Sequence, residues 1–266
     1  MEITTYYIAQ TLEDAYQKLN ANNQNAILGG GAWLKHATKH VDTMIDLSNL
    51  HLDEIEDRPD VIEIGSCVTL RSLETNPLVQ TIGQGFLSEA SSQIMGTGFR
   101  NIATLGGSIV GKFPFSDLLT PLLTLNVTLR FYPKKEITLQ DFLDQKGKVT
   151  EILTHIIIKK TKSVGFFKKI ANTVLDFSIL NVAILRDKDI KIALGARPGK
   201  ALLALDAMKM INQAEKIDDH VIEQAAKKVV ETIRFSSDHR GSEDYRKALA
   251  VTYVSRGIKE VTRYEG

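Results

Sequence analysis

Two glycine-rich segments constrain the fold of this chain more than any other feature of its sequence. The first, Gly29-Gly30-Gly31, follows the short apolar stretch 26–28, and the second, Gly106-Gly107, lies between Thr104 and Ser108. Glycine tolerates positive φ and lets the backbone approach a ligand, and successive N–H groups in such turns can form an anion-binding concavity. Each segment is therefore either a simple tight turn or one wall of a site for an anionic group.

Neither segment by itself matches a known nucleotide-binding motif, since neither is GxGxxG or ends in the Gly-Lys-Ser/Thr of a Walker A loop. Two such glycine-rich segments together can form two sides of a binding site for a diphosphate with flanking sugars. An acidic residue is a third element of this candidate site. Asp117 follows Ser116 at the start of the helical stretch 118–125. Two interpretations are open here. Either residue could cap that helix, or the Asp117 carboxylate could accept hydrogen bonds from ribose or ribityl hydroxyls.

The first 160 residues alternate between helical and strand patterns, which is typical of an α/β unit. Thr11 is expected to cap a helix that ends near Asn22, and helical sequence from 69 to 94 is broken at Pro77 and near Gly83. A short surface helix is predicted around His36 and His40. The predicted strands are residues 26–28, 44–47, 61–65, 127–132 and 151–159.

From about Thr161 the pattern changes, and we place a domain boundary there. An antiparallel meander is predicted over residues 166–170, 177–185 and 190–194. Helices over residues 218–232 and 242–261 follow it. Short basic clusters such as Lys168-Lys169 are interpreted as solvated surface, with a docking edge for a partner subunit or an anionic nucleotide as the alternative.

Composition excludes several classes of protein. With 43% hydrophobic residues, 24% charged residues and a net charge of +1, the chain is globular and lacks the basic excess of a nucleic-acid-binding domain. Cys67 is the only cysteine, so neither a disulfide nor a cysteine-ligated iron–sulfur cluster is expected. The histidines lack metal-ligand spacing. No apolar run of about 18 residues and no signal peptide is found, so no membrane association and a cytoplasmic location are expected.

The order and spacing of four motifs resemble the FAD-binding medium subunit of the molybdenum hydroxylases, the family of xanthine dehydrogenase and carbon monoxide dehydrogenase. In chain order the motifs are Leu28-Gly29-Gly30-Gly31-Ala32, Asn101-Ile102-Ala103-Thr104-Leu105-Gly106-Gly107-Ser108, Phe113-Pro114-Phe115-Ser116-Asp117-Leu118 and Arg240-Gly241-Ser242-Glu243-Asp244-Tyr245-Arg246. They span nearly the whole chain, and the second motif is the most specific of them.

This resemblance implies an α+β fold in two domains. Residues 1–161 would form a two-part FAD-binding domain of the vanillyl-alcohol oxidase (PCMH-like) type, and residues 162–266 a small α+β domain of the CO dehydrogenase flavoprotein type. The two glycine motifs would bind the pyrophosphate of non-covalent FAD, Asp117 its polyol, and Ile94 its isoalloxazine ring. The full set of expected FAD-binding residues is Ile27, Leu28, Gly29, Gly30, Gly31, Ala32, Trp33, Ile94, Gly96, Thr104, Gly106, Gly107, Ser108, Ser116 and Asp117.

The function implied is electron transfer within a complex. The flavin would relay electrons from an iron–sulfur subunit to NAD or a similar small acceptor, while a molybdopterin subunit hydroxylates the substrate. Departures from the family pattern are Ala32-Trp33, Ser108, and Ile179 at a position where some members place a lysine near the flavin. Two alternatives stay open, namely a stand-alone flavin oxidoreductase of the same fold and a nucleotide-binding assembly module without redox activity. No catalytic acid or base, metal site or nucleic-acid partner is expected.

Overall fold

The structure is a computed structural model that describes residues 1–34 and 40–263. It divides into two compact units, each assembled from separate stretches of the chain. The first unit comprises Met1–Leu73, Thr97–Gly111 and Asn126–Lys160, and the second comprises Glu74–Gly96, Lys112–Leu125 and Thr161–Gly266. The division into domains of residues 1–161 and 162–266 stays a prediction, because two earlier stretches of the chain also belong to the second unit.

Helices and strands are both present in the described chain, which confirms the mixed α+β class. The helices are α1 Leu12–Ala21, α2 Leu70–Thr75, α3 Pro77–Gln80, α4 Phe86–Ser92, α5 Thr97–Arg100, α6 Leu105–Val110, α7 Leu119–Thr124, α8 Leu139–Asp144, α9 Leu205–Asn212, α10 Asp219–Thr232 and α11 Glu243–Arg263. The strands are β1 Glu2–Ile8, β2 Ala26–Leu28, β3 His40–Asp46, β4 Ile55–Asp57, β5 Val61–Gly65, β6 Val127–Tyr132, β7 Lys135–Thr138, β8 Ile152–Lys159, β9 Val164–Ile170, β10 Leu180–Arg186, β11 Ile190–Gly195 and β12 Leu202–Leu203.

Two sheets form the first unit. A parallel sheet has the strand order β1-β3-β2, and an antiparallel sheet has the order β4-β5-β8-β6-β7. In the centre of the larger sheet, Ile156 of β8 lies opposite Ile64 on one side and Leu129 on the other. All three side chains are buried. Strand β8 is rich in β-branched residues, and Ile156 and Ile158 are buried while the intervening Ile157 is partly exposed, as expected for a strand.

Helix α1 leads the chain to the first glycine segment. The Thr11 hydroxyl accepts a hydrogen bond from the backbone N–H of Asp14 at 3.1 Å, so the predicted cap is confirmed. Ala15 and Leu19, four residues apart, are buried in a core that includes Ile45 of β3. The chain then passes through β2, whose end is followed directly by Gly29.

The second unit is built on an antiparallel sheet with the order β12-β11-β10-β9. Leu180 to Leu185 of β10 are all buried, as expected for a strand covered on both faces. Helices α9, α10 and α11 supply buried residues to the same core, among them Ala207, Ala226 and Val254. The predicted meander and the two C-terminal helices are confirmed, with ends shifted by a few residues.

Some sequence-based predictions were wrong or incomplete. His40 begins strand β3 and not a surface helix, and His36 lies outside the described residues. The segment Gly106-Gly107 is not a turn, because both residues lie in helix α6. The edge strands β1, β4 and β7 and the short helices α5, α8 and α9 were not predicted. In the ranges 1–34 and 40–263, no helix combines the length and apolar character needed to cross a membrane.

Candidate functional site

The first glycine segment is a true left-handed turn. Gly30 and Gly31 have φ values of +76° and +74°, a region that residues with a Cβ rarely adopt. A Cβ on Gly30 would lie 1.9 Å from the carbonyl oxygen of Ile102. The turn therefore requires glycine at position 30 for two reasons, its backbone conformation and its close contact with the second glycine motif.

Thr104 joins the two glycine motifs within the first unit. Its hydroxyl donates to the carbonyl oxygen of Gly29 at 2.9 Å and accepts from the backbone N–H of Gly107 at 3.1 Å. The side chain is buried, and it also caps helix α6. A single hydroxyl thus uses its donor on one motif and its acceptor on the other, which a residue without a hydroxyl cannot do.

The backbone N–H groups of the second motif already have acceptors inside the first unit. Gly106 donates to the carbonyl oxygen of Ser66 at 2.8 Å, and Ser108 donates to that of Thr104 at 3.0 Å. The N–H of Gly107 donates to the Thr104 hydroxyl. These N–H groups are therefore not free in this structure, and the expected second anion-binding concavity stays a prediction. The motif instead supports the first turn by packing against it, since a Cβ on Gly107 would lie 3.0 Å from the Gly29 carbonyl oxygen.

The first glycine turn differs from the second motif in the hydrogen bonding of its backbone N–H groups. Within residues 1–34 and 40–263, the N–H groups of Gly30 and Gly31 have no protein acceptor. Two consecutive residues with left-handed φ and unengaged N–H groups can bind an anionic oxygen through the backbone alone. The first turn, rather than the pair of glycine motifs, is therefore the part of the first unit best suited to a phosphate.

The other candidates of the first unit flank this turn. Ile27 and Leu28 belong to strand β2, which ends where the turn begins. Ala32 is buried, and the Trp33 ring contacts that of Phe99 with centroids 5.1 Å apart. Trp33 therefore has an aromatic partner in the helix that precedes the second motif, which the sequence did not indicate.

In the second unit, Ile94 and Gly96 follow the end of helix α4. Both are partly buried, and the intervening Met95 has a left-handed φ of +49°. A Cβ on Gly96 would have no described protein atom within 4 Å. The backbone at Gly96 thus borders open space, so that a ligand can approach it without displacing a side chain.

Asp117 is buried and has partners within the second unit. Its Oδ1 accepts hydrogen bonds from the hydroxyl of Ser178 and from Nδ2 of Asn181, the latter at 2.6 Å, and its Oδ2 lies 3.4 Å from Lys169 Nζ. Burial raises the pKa of the Asp117 carboxyl, and the Lys169 ammonium and the two hydrogen bonds oppose that rise. Asp117 is thus not the helix cap. The backbone N–H of Leu119, the first residue of helix α7, donates to the Ser116 hydroxyl at 3.3 Å, and Leu118, the residue before the helix, has no capping side chain.

Lys169 was missed as a site residue. The interpretation of Lys168-Lys169 as solvated surface holds for Lys168, which is exposed, but not for Lys169, whose side chain is 5% exposed. The strand pattern around these residues contained a usable signal, because neighbouring residues of a strand point to opposite faces and only one of two adjacent lysines can face solvent.

The C-terminal motif is built around a fully buried arginine. Arg246 donates to the carbonyl oxygens of Ile179 at 2.8 Å and Ser236 at 2.7 Å, and also to Oδ1 of Asp238 at 2.6 Å. Burial works against the charge of Asp238, but the hydrogen bonds from Arg246 and from the N–H of Arg240, with the charges of both arginines, lower its pKa to about 2. This motif therefore stabilises the loop that precedes α11, and Arg246 needs no ligand to explain its burial.

Two protein families match the chain over ranges that contain the two glycine motifs, the Asp117 segment and the arginine motif. Residues 1–160 match the FAD binding domain in molybdopterin dehydrogenase, and residues 165–261 match the CO dehydrogenase flavoprotein C-terminal domain. The chain belongs to the molybdopterin dehydrogenase FAD-binding family. It is therefore an FAD-binding subunit of the oxidoreductase class, as its motifs indicated.

Relatives of this FAD-binding chain are similar over nearly their full length. It is 26% identical to the glyceraldehyde dehydrogenase medium chain of Sulfolobus acidocaldarius, over 97% of this chain and 98% of that one. It is 25% identical to the nicotine 6-hydroxylase medium subunit of Paenarthrobacter nicotinovorans, over 96% of each. A chain of the carbon monoxide dehydrogenase from Hydrogenophaga pseudoflava has the same fold, with a TM-score of 0.89 at 20% identity over 97% of both chains.

Proposed function

We propose that this FAD-binding chain is the flavin subunit of a molybdenum hydroxylase complex, relaying electrons from the iron–sulfur centres of a partner to NAD or a similar small acceptor. The flavin, when bound, supplies the redox chemistry. The residues of the chain bind and orient it. The names of two relatives, a medium chain and a medium subunit, support a place for this chain in a larger complex.

The observation that carries the proposal is the first glycine turn. Consecutive left-handed residues at Gly30 and Gly31 leave their N–H groups without a protein acceptor in the described chain. An FAD pyrophosphate carries negative oxygens that need such donors, and backbone N–H groups present them without a competing side chain. The residues present at this turn therefore fit the pyrophosphate.

The second glycine motif has a supporting role in this proposal. Thr104 fixes the carbonyl of Gly29, so the turn is ordered before a ligand arrives. A pre-ordered turn loses less conformational entropy on binding, and this raises affinity. Thr104, Gly106, Gly107 and Ser108 would then contribute to FAD binding through the shape of the turn rather than through their own N–H groups.

Asp117 is the proposed contact to the polyol, and Ile94 and Gly96 are the proposed contacts to the ring. An ionised carboxylate has about four lone-pair sites, and three donors of the second unit are directed at the Asp117 carboxylate. A further acceptor position is therefore open to a polyol hydroxyl. We assign Gly96, whose Cα borders open space, and Ile94 to the ring.

The test is to compare the isolated chain with a reconstituted complex. The isolated chain should bind FAD and reduce a dye slowly with NADH, because that half-reaction needs only the flavin. It should oxidise no purine, aldehyde or N-heterocycle. Activity towards one of these should appear when an iron–sulfur subunit and a molybdopterin subunit are added.

Two results would contradict this proposal in different ways. Turnover of a hydroxylase substrate by the isolated chain would identify a stand-alone flavin oxidoreductase. A chain with bound FAD that neither transfers electrons in the complex nor reacts with NADH would identify an assembly module.

A further inference from the structure

We infer that Lys169 is a positioning residue for the flavin: it connects the segment before Ile94 to Asp117 and keeps the Asp117 carboxylate charged for the polyol. This inference rests on the proposed function. It concerns a side chain that none of the four sequence motifs contains, and that lies on strand β9.

Two contacts of one ammonium group carry the inference. Lys169 Nζ donates to the carbonyl oxygen of Gln93 at 2.8 Å and lies 3.4 Å from Oδ2 of Asp117. Gln93 is the C-cap residue of helix α4, directly before Ile94. A cation at a helix C-terminus is favourable, because the last carbonyl groups lack partners within the helix. Lys169 therefore holds two segments that are separate in sequence, each next to a residue expected to contact the flavin.

The ion pair between Lys169 and Asp117 is buried, so the loss of either partner is expected to be unfavourable. The Lys169 and Asp117 side chains are 5% and 6% exposed. A buried ion pair contributes little net stability, yet removal of one partner leaves an uncompensated charge that is strongly unfavourable. The contacts of Asp117 are completed by the uncharged donors Ser178 and Asn181, and Lys169 is its one charged partner in the described part of the chain.

The register of the sheet places Lys169 next to a second partner of Asp117. Lys169 of β9 lies opposite Asn181 of β10, and the N–H of the buried Ile179 donates to the carbonyl oxygen of Ile170 at 2.7 Å. Lys169 and Asn181 thus contact Asp117 from paired positions on two neighbouring strands.

Removal of the cation should make FAD binding depend on pH. In Lys169→Met only the hydrogen bonds from Ser178 and Asn181 oppose the effect of burial, so the pKa of Asp117 rises further and the carboxyl becomes neutral as the pH falls. A neutral carboxyl is a weaker hydrogen-bond acceptor than a charged one. FAD affinity of the variant should therefore fall by about tenfold or more, and it should fall further as the pH is lowered.

The experiment is a titration of the apo chain with FAD at several pH values, followed by the quenching of flavin fluorescence. Lys168→Met is the matched control, because Lys168 is the adjacent residue of β9 and is exposed; its FAD affinity should equal that of the wild type. Lys169→Arg, which keeps the charge, should restore most of the affinity and a flat pH profile. A purely structural lysine would change the melting temperature without changing the pH profile of FAD binding.

A double variant covers the case in which Lys169→Met does not fold. Asp117→Asn with Lys169→Met leaves no unpaired buried charge, and its FAD affinity should be weaker than that of the wild type but independent of pH, because no carboxyl is left to titrate at this site. Wild-type FAD affinity in the double variant would overturn the inference, as would wild-type FAD affinity from pH 6 to pH 8 in Lys169→Met. Failure of the wild-type chain to bind FAD would instead overturn the proposed function.

Discussion

Thr104 donates its hydroxyl hydrogen to the carbonyl oxygen of Gly29, which precedes it by 75 residues, at a distance of 2.9 Å. This bond connects the two glycine motifs of the chain. Because the Thr104 hydroxyl also accepts a hydrogen bond from the N–H of Gly107, the first turn and the start of helix α6 depend on one side chain. Replacement of Thr104 should therefore affect both segments.

Thr104→Val should destabilise the protein and weaken FAD binding together. Valine has nearly the shape of threonine but leaves the Gly29 carbonyl and the Gly107 N–H without their partner, which costs about 1–3 kcal/mol. Chemical unfolding of the apo chain measures the stability, and titration with FAD measures the affinity. Thr104→Ser keeps the hydroxyl and is the control. Equal FAD affinity in the Val and Ser variants would show that the turn does not need this bond.

Gly96→Ala should weaken FAD binding without destabilising the chain. A Cβ at this position meets no described protein atom within 4 Å, so the apo protein should be unchanged or stabilised by up to about 1 kcal/mol. A ring packed against the backbone would clash with the added methyl group and lose about tenfold or more in affinity. Gly98→Ala is the control, since it also meets no protein atom within 4 Å. Normal affinity in Gly96→Ala would remove Gly96 from the site.

Asp238 should make the protein less stable in acid. Its pKa is lowered from 3.8 to about 2 in the folded state, so its stabilisation is complete above pH 3.8 and is lost as the pH falls through about 2. The difference in unfolding free energy between wild type and Asp238→Asn should therefore shrink by about 1–2 kcal/mol over this window. Urea unfolding at a series of pH values measures it. Asp176→Asn, at an exposed site of the same unit, should not change the pH dependence.

FAD should be bound without a covalent bond. Covalent attachment needs a nucleophilic His, Cys or Tyr next to the ring, and neither glycine motif contains one. Burial raises the pKa of the Cys67 thiol, which reduces the fraction of reactive thiolate. Acid precipitation should release yellow FAD into the supernatant and leave a colourless pellet. Flavin that stays with the denatured protein would contradict this prediction.

Local sequence determined those elements whose signal lies within a few neighbouring residues. The Thr11 cap, the Ala15 and Leu19 stripe of α1, and the isoleucine-rich sequence of β8 each follow from the residues of one element. The resemblance to a flavoprotein family depended on short motifs in a fixed order. These features are local, so they can be predicted without knowing which other segments each one contacts in the folded protein.

Tertiary structure decided how the candidate residues are used. That the N–H groups of Gly106 and Ser108 already have acceptors could not be predicted from local sequence, because Ser66, one of the residues that supply them, lies far away in the chain. It favoured a cap or a ligand contact for Asp117, whereas the fold brings Lys169 to it. Whether a polar group is free for a ligand depends on partners that are distant in sequence and meet only on folding, which is why such roles could not be predicted from local pattern.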